Sequence, residues 1–249
     1  MQLPLPIELP TYQTLDNYYF YNNELLHNAL IGLVGEPADK ANIIVIHGTS
    51  HSGKTHLATA LYHFASAQHK SVCYLDFNEL FNPEIMQRFL LMYHADEEYA
   101  EDAFFTMLSG YENNELLIIE NIDVLADQPK LQVALFDLIN RCIEHRTHIL
   151  ISSKYGPYDD FISLPDLRSR LTWGQVYKLD PVDDDGIHSI VLDYVAMKGV
   201  NMQPSVIAYL LKFTTRDIKH VLHLIDQLDK LALVEKKAIT IPLVKKLLA

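Results

Sequence analysis

Apolar residues recur along the first two thirds of the chain in two alternating rhythms, and the alternation predicts an architecture. Over residues 22–34, Leu25, Leu26, Ala29, Leu30 and Leu33 fall on one face at helical spacing, and Gly35-Glu36-Pro37 ends the run. Asn42-Ile43-Ile44-Val45-Ile46 is then a continuous apolar run of strand length, as expected of a strand buried on both faces. The same reading places helices at 54–66, 83–93 and 129–144, and strands at 71–76, 116–120, 149–152 and 175–179. Strands alternating with helices predict an α/β fold built on a five-stranded parallel sheet covered on both faces. Past Pro181 only helical spacing persists, over 183–198, 204–213, 215–233 and 241–248. The expected organisation is therefore a base domain at 21–179 and a small all-helical domain at 180–249. Residues 1–20 carry Pro4, Pro6 and Pro10 without a helical period and read as an extended arm. The five acids within residues 96–102 read as a solvated loop or a helix start.

Charge narrows the partners. The net charge is −12, and nearly all of the acidity lies in residues 1–177, which hold 10 Lys and Arg against 23 Asp and Glu. An acidic body repels a phosphate backbone, so nucleotide and protein partners are expected rather than sequence-specific DNA. Cys73 and Cys142 lack metal-ligand spacing and read as buried thiols of a reducing cytoplasm. The apolar runs are too short to span a bilayer, and no signal-peptide pattern precedes them.

The chemistry concentrates at Gly48-Thr49-Ser50-His51-Ser52-Gly53-Lys54-Thr55, a P-loop between an expected strand and an expected helix. Glycines let backbone amides converge on phosphate oxygens, and the helix N-terminus adds unpaired N–H groups. Lys54 is the point charge for the outer phosphates, and Thr55 offers a hydroxyl to Mg2+. Strand 116–120 delivers Glu120 and Asn121 to the carboxyl edge of the sheet, where ligands bind in open α/β folds. Glu120 is placed for a Mg2+-linked acid. His47, His51 and His56 bracket the loop without metal spacing.

With these residues placed, the chain resembles the DnaA-related AAA+ family, and within it the short regulatory-inactivator branch. The resemblance rests on Ile46-His47-Gly48 through Lys54-Thr55-His56-Leu57, on Glu120-Asn121-Ile122, and on Leu164 through Gln175, ending Trp173-Gly174-Gln175. Leu224-Ile225-Asp226-Gln227-Leu228-Asp229 and Thr240-Ile241-Pro242 extend it over nearly the whole length. It implies an AAA+ P-loop domain followed by a helical lid, holding ADP or ATP. Where the family carries a second acid to polarise water, this chain has Asn121, which can orient water but cannot accept its proton. Hydrolysis by the chain alone is therefore expected to be poor.

The resemblance also assigns roles. Arg170 matches the arginine finger that acts on a neighbouring subunit's nucleotide, with Arg168 as the alternative. Ser152 and Ser153 fall at the sensor-1 strand end, although Lys154 follows where the family tends to have an acid. Lys219 takes the place of the lid's sensor-2 arginine, keeping the charge and losing the planar fork. Asn23, with His56 after the loop, belongs to the nucleotide site, Asn23 walling the adenine. Gln2, Leu3, Leu5 and Pro6 resemble the peptide that docks on the bacterial sliding clamp, a glutamine for a polar site and two leucines for an apolar groove. DnaA continues into a DNA-reading domain where this sequence stops at Ala249. The implied partners are DnaA and the DNA polymerase III sliding clamp, with a homo-oligomer compatible. An autonomous P-loop ATPase and a DnaA-like initiation or loading factor are the competing readings.

Overall fold

The computed structural model describes residues 9–20, 23–35, 39–85, 87, 100–215 and 217–248. The chain divides between Asp180 and Pro181 into two compact units. The first unit is built on five parallel strands, β1 (Ile43–His47), β2 (Val72–Asp76), β3 (Leu116–Glu120), β4 (His148–Ser153) and β5 (Gln175–Lys178). They lie in the order β2-β3-β4-β1-β5. β1 is thus internal, and the chain leaves it for the far edge before returning to flank it with β4 and β5.

The pleat explains why whole strands are apolar. Successive side chains point to opposite faces, so each continuous run supplies two cores at once. Ile43, Val45, Leu117, Ile119, Ile149 and Ile151 enter one core, while Ile44, Ile46, Leu116, Ile118 and Leu150 enter the other. The second core is closed by α1 (Glu24–Val34) and α2 (Lys54–Ala67) through Leu26, Leu30, Leu57 and Leu61. The first also takes in the one-turn helix α3 (Phe77–Leu80), α4 (Ala100–Met107), α5 (Pro129–His145) and α6 (Pro165–Trp173). Burying each such aliphatic side chain contributes roughly 1.5–3 kcal/mol. Gly174 enters β5 against β1 so closely that a Cβ would sit 2.0 Å from the Ile43 carbonyl oxygen.

Several elements depart from the sequence reading. Residues 9–20, read as part of an extended arm, run in turns, and Leu15 is buried in the second core. The acid-rich stretch does not depart from its reading as a helix start: its residues 100–102 open α4, which buries Phe104 and Met107. Residues 83–85 are helical, while much of the helix expected to 93 lies outside the described residues. α6 was not anticipated, because only Leu167 and Leu171 of its nine residues are buried, one turn apart.

Gln132 of α5 is a fully buried amide inside an apolar face. Its Nε2 donates to the carbonyls of Leu125 (2.8 Å) and Ala126 (3.3 Å), and its Oε1 accepts from the backbone N–H groups of Ser163 and Leu164 (3.0 Å each). The side chain thereby ties the turn after β3 to the segment that enters α6. Gln132→Ala is expected to lower stability by roughly 1–3 kcal/mol, because buried backbone groups lose their partners. A urea midpoint unchanged in this variant would contradict that role.

The second unit comprises α7 (Asp184–Lys198), α8 (Pro204–Phe213), α9 (Ile218–Glu235) and α10 (Ile241–Leu248). Its own core centres on Val191, Ile207, Leu210, Val221, Ile225 and Val244. Asp183 and Asp217 cap α7 and α9, accepting from the N–H groups of Gly186 and Lys219. Asp217 thus sets the start of α9 later than the apolar spacing alone predicts. Among the described residues no helix is long and apolar enough to cross a membrane.

Candidate functional site

The carboxyl end of β1 passes straight into the P-loop. Gly48 donates its N–H to the Ser153 carbonyl at 3.2 Å, and a Cβ there would lie 2.2 Å from the Leu179 oxygen. The loop is therefore clamped between the ends of β4 and β5, where only glycine fits. Gly53 is left-handed at φ 88°, and a Cβ would also strike the Tyr18 ring at 2.7 Å. His51, at φ 66°, stands exposed at the loop's tip between Ser50 and the buried Ser52. No side chain caps the N-terminus of α2, so its first N–H groups remain available to an anion.

Lys54 folds back over this loop. Its Nζ donates to the carbonyls of Gly48 (2.7 Å) and Thr49 (2.8 Å) and lies 3.4 Å from Ser52 Oγ. Burial lowers the Lys54 pKa below the ordinary lysine value, while Asp123 and Glu120 pull it back up. The ammonium is thus held at the loop's mouth, where it can meet phosphate oxygens.

Glu120 ends β3 beneath the loop and is 1% exposed. Ser152 donates to its Oε1 at 3.2 Å, and Tyr74 donates to its Oε2. Burial raises the Glu120 pKa, and these hydroxyls oppose the rise. Asn121 takes the left-handed conformation at φ 61°, which asparagine tolerates. Its Nδ2 donates sideways to Asp76 Oδ1 at 2.8 Å, and its N–H to Ser152 Oγ at 3.3 Å. Of the other residues at the β4 end, Ser153 Oγ accepts from the Tyr155 N–H, and Asp123 accepts from the Lys154 N–H.

The leader covers the opposite side of the loop. His56 Nε2 lies 3.1 Å from the Thr14 carbonyl and 3.0 Å from Asn17 Oδ1, clipping the leader to the first turn of α2. Burial lowers the His56 pKa, favouring the neutral ring, and pushes the Tyr18 phenol up to about 12. Tyr18 packs edge-on to Phe20 and His56. Beside it opens a pocket of about 780 Å3 lined by Tyr18, Tyr19, Phe20, Asn23, Leu26 and Tyr177. Asn23 makes no side-chain cap to α1 and faces this pocket instead.

The two arginines of α6 diverge. Arg168 turns inward, its Nη2 donating to the Ile162 carbonyl at 2.5 Å and its Nε buried. Arg170 is half-buried at the surface: its Nε donates to Asn140 Oδ1 at 2.8 Å, and its guanidinium lies 5.0 Å from the Trp173 ring and 5.9 Å from Phe136. Trp173 itself is 63% exposed. Lys219 is exposed in the first turn of α9, in the second unit. Gln2, Leu3, Leu5 and Pro6 lie outside the described residues.

Sequence reading missed Tyr74, Asp76, Tyr18 and Gln132. Each acts through a partner at least 30 positions away, so no local pattern marks it. Among the described residues no cluster of three or more His, Cys, Asp or Glu side chains could hold a metal ion.

Comparison with known proteins matches residues 10–178 to the family described as the bacterial DnaA ATPase domain, and residues 184–248 to the family described as Hda, lid domain. Domain III of the Thermotoga maritima replication initiation protein DnaA shares the fold with a TM-score of 0.74 at 19% identity, over 95% of each chain. AMPPCP-bound DnaA from Aquifex aeolicus gives a TM-score of 0.67 at 21% identity, over 88% of this chain and 66% of that one. The Thermotoga maritima RuvB Holliday junction branch migration motor gives 0.66 at 18%, over 96% and 71%. At these identities the structural likeness speaks for fold.

Proposed function

This chain belongs to the bacterial DnaA ATPase family, with a lid of the Hda type, and from that premise we propose that it is an ADP-holding AAA+ regulator. In this reading it acts with the DNA-loaded sliding clamp to stimulate hydrolysis of DnaA-bound ATP, and so represses re-initiation of chromosome replication. The observation that carries the proposal is Asn121. It stands where an attacking water needs a base, offers an amide instead, and spends that amide on Asp76. A phosphate loop complete in Gly48, Gly53, Lys54 and Thr55 but lacking that base is suited to holding a nucleotide rather than turning it over.

The base would enter the aromatic pocket beside Tyr18 and Asn23, and the phosphates would meet Lys54 and the α2 N-terminus. DnaA bound to AMPPCP shares this fold, which supports an adenine nucleotide here. Arg170 is the group proposed to act outward on the ATP of DnaA, and the leading peptide at Gln2, Leu3, Leu5 and Pro6 to engage the clamp.

Single-turnover hydrolysis of DnaA-bound ATP, with and without this chain and clamp-loaded DNA, tests the proposal. Stimulation only when chain and clamp are both present is the expected result. Fast unaided turnover of free ATP would favour an autonomous ATPase instead. Lys54→Ala is expected to weaken ADP binding by roughly 1.5–3 kcal/mol, or about 10- to 150-fold, through loss of a charge-assisted contact. Calorimetry finding the same ADP affinity in this variant would place the nucleotide elsewhere.

A further inference from the structure

At the opposite end of the sheet from the phosphate loop, where the strands begin, lies a cavity of about 370 Å3. Small-molecule sites span about 300–1,000 Å3, so this one is small but sufficient. Leu33, Val34, Ala65 and Leu116, all buried in the second core, form its apolar wall.

Most of its polar side is already committed. Glu115 accepts from Lys70 Nζ at 3.0 Å and from the Ser71 N–H at 2.9 Å. Glu112 accepts from the Gly110 N–H at 2.9 Å and lies 3.4 Å from Arg141 Nε. Both acids are therefore neutralised by the protein itself. The helix ends nearby are closed as well, since the carbonyls of Ala65, Cys142 and Ile143 accept from N–H groups of the turns that follow α2 and α5.

Two donors are left over. His148 opens β4 at 7% exposure, and its Nδ1 accepts from the Asn42 N–H at 3.0 Å. That bond puts the ring proton on Nε2, and burial favours the neutral imidazole. The ring borders the cavity, and Nε2 has no hydrogen-bond partner among the described residues. A donor this buried is costly to leave unpaired. Arg146 borders the same cavity from the left-handed C-cap of α5, at φ 62°, and makes no ion pair among the described residues.

We infer that this cavity binds a small molecule with an apolar body and a carboxylate, the carboxylate accepting from His148 Nε2–H and the Arg146 guanidinium while the body lies on the apolar wall. A planar guanidinium matches a carboxylate in shape as well as charge. The site shares no residue with the phosphate loop, so the inference stands apart from the nucleotide reading.

The test is titration of the full chain, 15N-labelled at histidine, with 4-phenylbutyrate, 4-phenylbutanol and 4-phenylbutylamine, following the His148 ring nitrogens by NMR. The acid should saturate one site and shift the Nε2 signal, binding about tenfold or more tightly than the alcohol or the amine, the factor expected of one charge-assisted hydrogen bond. Arg146→Asn keeps a residue suited to the left-handed backbone, and should weaken the acid by about tenfold while leaving the alcohol unchanged. His148→Asn should likewise lose the preference for the acid; if thermal melting shows that it does not fold, Arg146→Asn decides. Equal affinity for the three probes, or preference for the amine, overturns the inference. So does binding that leaves the His148 signal unmoved, unchanged acid affinity in Arg146→Asn, or no saturation by about 10 mM acid.

Discussion

Arg170→Ala should keep wild-type ADP and clamp binding yet lose stimulation of DnaA-bound ATP hydrolysis, an effect of about 10³–10⁵-fold in rate for an arginine finger. The expectation follows from where the guanidinium stands. Asn140 accepts from its Nε, and the guanidinium lies near the Trp173 and Phe136 rings, which holds the group at the surface of α6, ahead of the edge strand β5. A planar fork held this way can meet charge developing on a neighbouring γ-phosphate, and lysine cannot reproduce it. Arg170→Lys should therefore fail almost as completely as the alanine variant. Arg168 differs in kind, since it turns inward to the Ile162 carbonyl with its Nε buried. Arg168→Ala is expected to cost stability while retaining stimulation per folded molecule. Full stimulation by Arg170→Ala, with a folded Arg168→Ala inactive, would move the finger to Arg168. Full stimulation by both variants would remove the finger altogether.

The second large effect concerns the leading peptide. Placing Leu3 and Leu5 in an apolar groove of the clamp contributes roughly 1.5–3 kcal/mol each. The double substitution Leu3→Ala, Leu5→Ala should then weaken clamp binding by roughly 10²–10⁴-fold, beyond detection in a pull-down. Folding and ADP binding should be untouched, because the leader is anchored further along. Leu15 is buried in the core, and Thr14 and Asn17 meet His56. Stimulation of DnaA should fall with clamp binding and recover at saturating clamp. Wild-type capture of the clamp by the double variant would leave the peptide without this role.

The parallel sheet and the phosphate loop were both legible along the chain, and for one physical reason. Strand runs, helical periods, and the spacing from Gly48 to Lys54 are local, so each declares itself within a dozen residues. The resemblance to the DnaA-related family was equally legible, carried by contiguous stretches such as Leu164 through Gln175. α6 escaped the periodicity because two buried leucines in a short polar helix leave almost no apolar rhythm. The leader escaped it too. Its docking depends on Leu15 entering a core and on His56, some forty positions away, accepting a place beside Thr14 and Asn17.

Within the site, the identities of Glu120 and Asn121 could be read, but what each one touches could not. Strand pairing sets Tyr74 beneath Glu120 and brings Asp76 beside Asn121, each pair some 45 positions apart in sequence. Arg168 and Arg170 are two residues apart on one helix, about 200° around its axis, so the tertiary packing turned one inward and left the other at the surface. Periodicity and motif spacing record which residues share a face. Hydrogen-bond partners are chosen only when distant strands close against one another, because an unpaired buried polar group is costly and must find its partner wherever the fold has put one.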